Sequence, residues 1–461
     1  MFFQSCEHQN KSELPVVRTA DDIVVVPLDS DSIRSSVPQF AQAESEPTKS
    51  GSTDDDAAKT KTLTFLSAPP IPLRGASSET HNSGLIAVLQ ALFTNYHVCR
   101  VLLADQSTLK AWINHTNPLG TGGEVVTALA ALLRLLADDA QTAKSTLGDF
   151  NCVQGQTVKH FRSVFTRFEP QFREAREHDA ADLLERLLSL LHEDLNRVYR
   201  KPFVLTVDVT EEDFKTQAAR VKASRQHWNR LRLRDNSVII DLLEGQLCTS
   251  YACQNDTCKG KPCSRSFEPF TMLTLPLPQE PDAKIGLVHS LWALTKGVDV
   301  HRYCLHCQRD SVSTRSISLY RLPPVLIFRL DRFKYVRGKW SSYRVRRNCA
   351  VDFPDEINMA PYFGAQPRRQ QQRASESDGG TDEMIYELTA VVEQTLNTGT
   401  VGPCRVHVKR NQHWCPDFTV RYVDAYRDCD ALPIIVVAVL LVCYHLAVTA
   451  CSYCFSRDYL L

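Results

Sequence analysis

The sequence lacks an excess of charge of either sign. Its 461 residues include 53 Lys and Arg against 53 Asp and Glu, so the formal net charge is zero. General nucleic-acid binding depends on surplus positive charge that neutralises phosphates, and the balance gives that class of function no support. The amino terminus, MFFQSCEHQNKSELP, also lacks the basic segment and apolar run of a secretory signal peptide, which predicts reduced thiols in the cytosol.

The cysteines are too sparse for the dense disulfide framework of a small secreted domain, although the chain has 16 of them. Two close pairs stand out, Cys253 with Cys258 and Cys304 with Cys307. Their spacings are typical of zinc ribbons, in which two turns each offer two thiolates to one tetrahedral ion. We therefore predict a closed, structural zinc site on these four residues, with Cys263 as a substitute for Cys258. Four unrelated buried cysteines are the other interpretation.

No Asp, Glu, Lys or Arg occurs in residues 431–455, ALPIIVVAVLLVCYHLAVTACSYCF. About 20 apolar residues in a helix span a bilayer, so the run predicts a transmembrane helix, with a buried core helix as the alternative. Only residues 456–461 follow, which would make the chain a single-pass, tail-anchored membrane protein. Arg421 and Arg427 precede the run and Arg457 follows it, a bias that favours a bulk facing the cytosol.

Composition divides the rest of the chain into segments. Residues 1–62 are rich in Ser, Asp and Thr and bury too little apolar surface to fold, which predicts disorder. Residues 63–202 space their apolar residues by three and four, as amphipathic helices do. Residues 203–430 contain short β-rich runs such as FVLTVDV and VLIFRLDRF, with a low-complexity insertion at 365–383. Helices followed by strands predict the α+β class.

Four blocks in chain order resemble the ubiquitin-specific proteases, a family of papain-like thiol deubiquitinases. Residues 75–92 align without gaps on the family box GLxNxGNTCYxNSxLQxL. EHDAADLLERLLSLLHEDLN, residues 177–196, resembles QQDAxEFLxxLLDxLHEDL. Residues 245–278 and 303–335 are similar to the fingers with their zinc cysteines and the LPPVLxxHLKRF strand. Residues 351–409 are similar to the closing block.

The resemblance covers about residues 68–425 and implies a hand-like fold that grips ubiquitin. It places a helical thumb at about 63–202, and a β palm with zinc-tipped fingers at about 203–430. The implied partner is ubiquitin, a ubiquitinated protein or a ubiquitin-like protein. The basic, aromatic run at 329–347 matches a strand and hairpin of the family, so we interpret it as a solvated strand face and expect no nucleic acid as partner.

The family's catalytic residues are replaced in this sequence. The chemistry needs a thiolate nucleophile, an imidazole base, an orienting group and donors for the oxyanion. By alignment the nucleophile position holds Ser83, the oxyanion position Ser78 and the base position Pro403, while Asp417 lies one position from the third member. A serine without a base is a poor nucleophile. The resemblance therefore implies a pseudoprotease in which Ser83 belongs to a capped helix start.

Three other groups in the sequence are candidates to replace the missing base. His407 lies four residues along the strand from the base position, about 13 Å away at 3.3 Å per residue. His81 is two residues from Ser83, but its ring would have to fold back across the helix start. Cys404 with His413 is a conceivable rearranged dyad.

An acidic cluster marks the start of the second family block. Glu177, Asp179 and Asp182 suit the amino end of a helix, where carboxylates cap amides and interact favourably with the macrodipole. We therefore predict that Asp179 supports the scaffold and does not act as an acid.

Three hypotheses about function follow. The first is a membrane-tethered pseudoprotease that binds ubiquitin or another partner protein. The second is an active deubiquitinase with a rearranged site at the same membrane. The third is a structural membrane adaptor that has lost ubiquitin recognition.

Overall fold

The structure is a computed structural model of the chain. It describes residues 51–67, 73, 82–142, 147–174, 176–205, 208–258, 262–278, 284–337, 342–347, 349–364, 384–397, 400–410, 413–415 and 432–440. Ser78, His81 and Asp417 lie outside these residues, as does the insertion at 365–383.

Helices dominate the first half of the described chain, as the apolar spacing predicts. The helix α1 begins at Gly51, before the boundary that composition placed at residue 63. In the helix Ala180–Asp194, apolar residues at this spacing are buried in the core: Leu183, Leu184, Leu187 and Leu191. The helices are α1 Gly51–Ser67, α2 Ser83–Leu92, α3 Tyr96–Leu102, α4 Gln106–Trp112, α5 Glu124–Thr142, α6 Leu147–Phe168, α7 Ala180–Asp194, α8 Gln217–Arg232, α9 Val238–Leu243 and α10 Leu287–Lys296.

Strands dominate the second half. They are β1 Gly245–Cys253, β2 Pro262–Phe270, β3 Leu273–Leu275, β4 Lys284–Gly286, β5 Val298–Cys304, β6 Arg309–Arg321, β7 Val325–Leu330, β8 Phe333–Arg337, β9 Ser342–Arg346, β10 Ala350–Asp352, β11 Glu356–Asn358, β12 Ile385–Asn397, β13 Thr400–Arg410, β14 His413–Cys415 and β15 Leu432–Leu440. The α+β class is confirmed, with β8 and β9 forming a hairpin inside the basic run.

A seven-stranded sheet is the centre of the fold. Its strand order is β14-β13-β12-β15-β7-β3, with β11 paired to β12 at the side. Both faces of β7 are buried: Val325 and Ile327 pack in one core with the thumb helices, and Leu326 and Phe328 pack in a second core with α10. Near-continuous apolar runs such as VLIF are what a strand covered on both faces requires.

A separate four-stranded sheet, in the order β2-β1-β6-β5, carries the two cysteine pairs at its far end. Two helices that the β-rich reading missed, α8 and α9, precede it. The strand predicted over FVLTVDV is not formed in its described part, where Phe203 and Leu205 are exposed. β-propensity reflects how well a side chain packs on a partly buried sheet surface. Residues 203–205 have no such surface to pack against, so their propensity does not produce a strand.

The structure departs furthest from the sequence prediction in the carboxy-terminal apolar run. Residues 432–440 form β15, antiparallel to both β12 and β7, so the prediction of a helix over 431–455 is wrong for these nine residues. The physical reason is that an apolar run suits a central strand as well as a membrane helix, and periodicity does not separate the two. Residues 441–455 lie outside the described residues. Within the described part, no single helix has the length and apolarity to cross a membrane. Among the described helices, only α2 and α3 taken together reach that length and apolarity, and the two are bent by 98° relative to each other.

Candidate functional site

Ser83 lies where the thumb meets the palm. It is the first residue of α2, half-buried, and its hydroxyl makes two hydrogen bonds. The Oγ atom donates to Oε2 of Glu177 at 2.8 Å and accepts from the backbone N–H of Cys404 at 2.8 Å. One hydroxyl therefore connects three segments: the start of α2, the loop before α7 and strand β13.

Ser83 does not cap its helix, contrary to the sequence interpretation. Asn82 occupies the N-cap position, and the side chain of Asn82 makes no capping hydrogen bond. The Ser83 hydroxyl instead points to Glu177 and β13. Tertiary contacts outcompete the local cap because both the Glu177 carboxylate and the Cys404 amide lie within hydrogen-bond distance.

Pro403 sits in a bulge of β13 opposite β12. The register pairs Gln394 with Cys404 but Leu396 with Val401, so Thr395 faces two residues of β13. A proline is tolerated there because a bulged position does not need the ladder N–H. The Thr395 hydroxyl donates to the Pro403 carbonyl at 3.0 Å. The residue that the sequence resemblance aligns with the family's base thus offers a ring with no proton acceptor.

Of the candidate bases, neither His407 nor His413 is brought to Ser83, and His81 lies outside the described residues. The Nε2 atom of His407 lies 3.1 Å from Oε2 of Glu393 on the neighbouring strand. His413, on β14, pairs with Arg410 at the end of β13. Arg410 lies six residues along β13 from Cys404, or about 20 Å at 3.3 Å per residue. The Cys404–His413 dyad is therefore not assembled.

The Cys404 thiol is itself unsuited to nucleophilic chemistry. It is fully buried, and burial, followed by the charges of Glu177 and Asp179, raises its pKa well above the usual value. A nucleophilic cysteine needs the opposite surroundings, with a depressed pKa and access to solvent. Cys404 packs behind Ser83 as a small apolar group.

Gln394 holds the two halves of the site together. It is completely buried, and its Nε2 donates to the carbonyls of His178 at 2.8 Å and Gly402 at 3.0 Å. Its Oε1 accepts from the N–H of Ala180 at 3.4 Å. Asp179 caps α7 by accepting from Ala181 N–H at 2.9 Å, the scaffold role predicted for it.

Sequence reasoning missed the roles of Glu177 and Gln394. Glu177 carried a signal, because it heads a block that resembles one packed near the family's cleft. Gln394 carried none: it is a polar residue inside a β-rich run, and only strand pairing and the approach of α7 reveal its partners.

The two cysteine pairs converge at the end of the four-stranded sheet. Cys253 ends β1, Cys304 ends β5, and Cys258 and Cys307 lie in the turns that follow. The Sγ atoms of Cys253 and Cys307 are 3.9 Å apart, as are those of Cys258 and Cys304. All four sulfur atoms lie within 4.8 Å of one another.

This geometry fits a tetrahedral metal. With metal–sulfur bonds of about 2.3 Å, the edges of a zinc tetrahedron measure roughly 3.8 Å. Hydrogen bonding from the Cys307 amide lowers the pKa of the Cys304 thiol, which favours a thiolate there, whereas burial raises the pKa of the Cys258 thiol. The cluster contains Cys258; the side chain of Cys263 lies outside what the structure describes.

Comparison with protein families and curated relatives agrees with this architecture. Residues 75–416 match the family model described as ubiquitin carboxyl-terminal hydrolase. Ubiquitin carboxyl-terminal hydrolase 5 of Saccharomyces cerevisiae is 27% identical over 280 residues, 60% of this chain and 32% of the relative. Ubiquitin carboxyl-terminal hydrolase 19 of Homo sapiens is 34% identical over 194 residues, 42% of this chain and 13% of the relative. The chain thus spans about a third or less of these relatives.

Solved structures share the fold at low sequence identity. One is the SAGA Ubp8/Sgf11/Sus1/Sgf73 DUB module bound to ubiquitin aldehyde, with a TM-score of 0.52 and 14% identity, covering 81% of this chain and 71% of the other. A structure of the SAGA DUB module bound to monoubiquitin has a TM-score of 0.52 and 15% identity, covering 84% and 75%. At this identity the likeness extends to the fold alone.

Proposed function

This chain belongs to the ubiquitin carboxyl-terminal hydrolase family, and on that premise we propose that it is a pseudoprotease that binds ubiquitin or a ubiquitin-like protein without cleaving it. The relatives are named for hydrolysis of ubiquitin, and two fold neighbours are complexes with ubiquitin aldehyde and monoubiquitin. Binding and catalysis separate in this chain because the scaffold is retained while the nucleophile and base positions hold Ser83 and Pro403.

One observation carries the proposal: the Ser83 hydroxyl is hydrogen-bonded between the Glu177 carboxylate and the Cys404 amide. A nucleophile needs a neighbouring imidazole and an approach path for the substrate carbonyl. Here the Glu177 carboxylate already places a negative charge beside the hydroxyl of Ser83, where an alkoxide nucleophile would add another. Like charges at this distance disfavour each other, so the site opposes the transition state of acyl transfer.

A second candidate, an active enzyme with a rearranged site, has one observation in its favour. The Ser83 hydroxyl already donates to a carboxylate, and a carboxylate can accept a proton from a nucleophile. The opposing point is basicity: an ordinary Glu carboxyl has a pKa near 4.3, about nine units or more below a serine hydroxyl, so little alkoxide forms.

Purified full-length protein separates the candidates. We expect calorimetry to detect ubiquitin binding, and a fluorogenic ubiquitin C-terminal substrate to be turned over no faster than by Ser83→Ala or Glu177→Gln. Turnover by the unmodified chain that both substitutions abolish would establish the rearranged enzyme. Absence of ubiquitin binding would favour the third possibility, a structural adaptor.

We also propose zinc as the ion of the Cys253, Cys258, Cys304 and Cys307 cluster. Its four thiolates leave no open coordination position, so the ion would stiffen the end of the four-stranded sheet and take no part in catalysis.

Attachment to a membrane, with the bulk of the chain facing the cytosol, stays a prediction from sequence. It competes with β15, because residues 441–455 alone would give a helix of about 22 Å, short of a hydrocarbon core of about 30 Å. A tail anchor therefore requires residues 432–440 to leave the sheet. Extraction of cell membranes with carbonate tests it: an anchored chain stays in the pellet.

A further inference from the structure

A small cavity lies at the amino end of α2, next to Ser83. It measures about 10 Å³, room for one atom about the size of a water oxygen. Its polar lining comes from Asn82, Arg162, Thr166 and His178, and its other walls are apolar side chains of α2, α6 and α7 and the loop before α7. The cavity is separate from the contacts of the Ser83 hydroxyl.

Asn82 is buried without a partner in this cavity. It is 5% exposed, and neither Nδ2 nor Oδ1 has a hydrogen-bond partner within the described part of the chain. A buried amide is expensive to leave unsatisfied, and native proteins rarely do so. An orphaned amide that lines a cavity therefore points to a polar occupant.

The surroundings of Asn82 are positive. The Arg162 guanidinium forms no ion pair or hydrogen bond to any described residue, yet it is close enough to contribute, after burial and with Arg176, to a lowered pKa of His178. The first amides of a helix have no intrahelical acceptor, and Gly84 and Leu85 of α2 line the same cavity. The positive end of the helix dipole adds to this potential.

The nearby carboxylates are already engaged elsewhere. Glu177 accepts from the Ser83 hydroxyl, and Oε2 of Glu174 lies 2.7 Å from Nε of Arg176. The Nε2 atom of His178 lies 3.4 Å from the backbone carbonyl oxygen of Glu174. The cavity therefore combines donors and positive charge with no carboxylate on its wall.

We propose that this cavity is a binding site for one monatomic anion, of which chloride is the obvious candidate, held by Asn82 Nδ2, the Arg162 guanidinium and the amides that open α2. The half-buried Arg162 side chain is long and flexible, so it can move outward to admit an ion slightly larger than water. The bound anion connects α2 to α6 and stabilises the thumb beside the Ser83 site.

The test is thermal unfolding of the full-length protein at constant ionic strength, with sodium chloride exchanged for sodium gluconate, whose anion is too large for the cavity. We expect the midpoint to rise by roughly 1–2 °C for each tenfold increase of chloride above its dissociation constant. Arg162→Gln should abolish this rise. Lys159→Gln removes the same charge from an exposed position of α6 and should keep it.

Asn82→Asp provides a second variant if Arg162→Gln fails to fold. It preserves shape but places a negative charge in the cavity, so the chloride dependence should disappear. The proposal also predicts that chloride raises the pKa of His178 measured by NMR. Equal unfolding midpoints in chloride and gluconate would overturn the proposal and leave water as the occupant. So would an equal loss of the chloride-dependent rise in Lys159→Gln and Arg162→Gln.

Discussion

The hydroxyl oxygen of Ser83 and a carboxylate oxygen of Glu177 lie 2.8 Å apart, with the hydroxyl as donor. A thiol placed at residue 83 would therefore face a negative charge. That charge makes the position hostile to a thiolate, and restoring the family's nucleophile alone does not restore its chemistry.

The first prediction concerns Ser83→Cys. We expect the pKa of its thiol to lie above that of an ordinary cysteine, and the thiol to react slowly with a ubiquitin-based probe. In Ser83→Cys/Glu177→Gln the negative charge is gone, so the thiol pKa should fall by on the order of one to three units. The rate of alkylation by iodoacetamide against pH measures both values. Identical profiles would show that Glu177 does not control this position.

The second prediction concerns the connection between thumb and palm. Gln394→Ala removes hydrogen bonds to His178, Ala180 and Gly402 and leaves their backbone groups buried. We expect the free energy of unfolding to fall by roughly 2–4 kcal/mol. Urea denaturation measures it, and Gln226→Ala, at an exposed position of α8, should change it little. A loss below about 0.5 kcal/mol would contradict the assignment.

The third prediction concerns the cysteine cluster. Elemental analysis of protein purified without chelator should find one zinc per chain, and Cys304→Ser should lose it together with stability. Cys263→Ser is the matched control, since Cys258 is the residue found in the cluster. Loss of zinc in Cys263→Ser but not in Cys258→Ser would identify Cys263 as the fourth ligand.

The fourth prediction uses the buried carboxyl of Glu244. Burial raises its pKa to about 7, above the usual 4.5. The unfolded chain releases this proton near pH 4.5 and the folded chain near pH 7, so its contribution to stability falls as pH rises through that window and is level above it. Glu244→Gln should therefore be more stable than the unmodified chain at pH 8 and equal to it at pH 4.5.

Calorimetric melting between pH 4.5 and 8 follows that difference. Glu211→Gln, on an exposed carboxyl, serves as the control and should leave the pH dependence unchanged. Parallel curves for the unmodified chain and Glu244→Gln would show that the Glu244 carboxyl is solvated in the folded protein.

The fifth prediction separates a strand from a membrane helix at the carboxy terminus. A chain that ends at Leu440 keeps β15, whereas one that ends at Asp430 lacks the strand between β12 and β7. We expect the longer fragment to unfold cooperatively and the shorter one to lose the central sheet, as circular dichroism and proteolysis report. Equal folding of both fragments would support a tail that lies outside the sheet.

Much of this protein was determined by its sequence alone. The apolar spacing of α7 predicts its buried face, because a helix brings every third or fourth residue to one side. The order of blocks predicts the family and the α+β class, and the spacing of Cys253, Cys258, Cys304 and Cys307 predicts their convergence. These features depend on local periodicity and on residue identity, which a sequence displays directly.

Tertiary structure decided the rest, because it depends on which segments become neighbours. The run at 432–440 is apolar enough for a membrane, and only its pairing with β12 and β7 makes it a central strand. The Ser83–Glu177 and Gln394–His178 hydrogen bonds join residues that are 94 and 216 positions apart in the chain, so only folding makes them neighbours. Ser83 could be read locally as a cap, but its hydroxyl binds the stronger partners that folding brings to it.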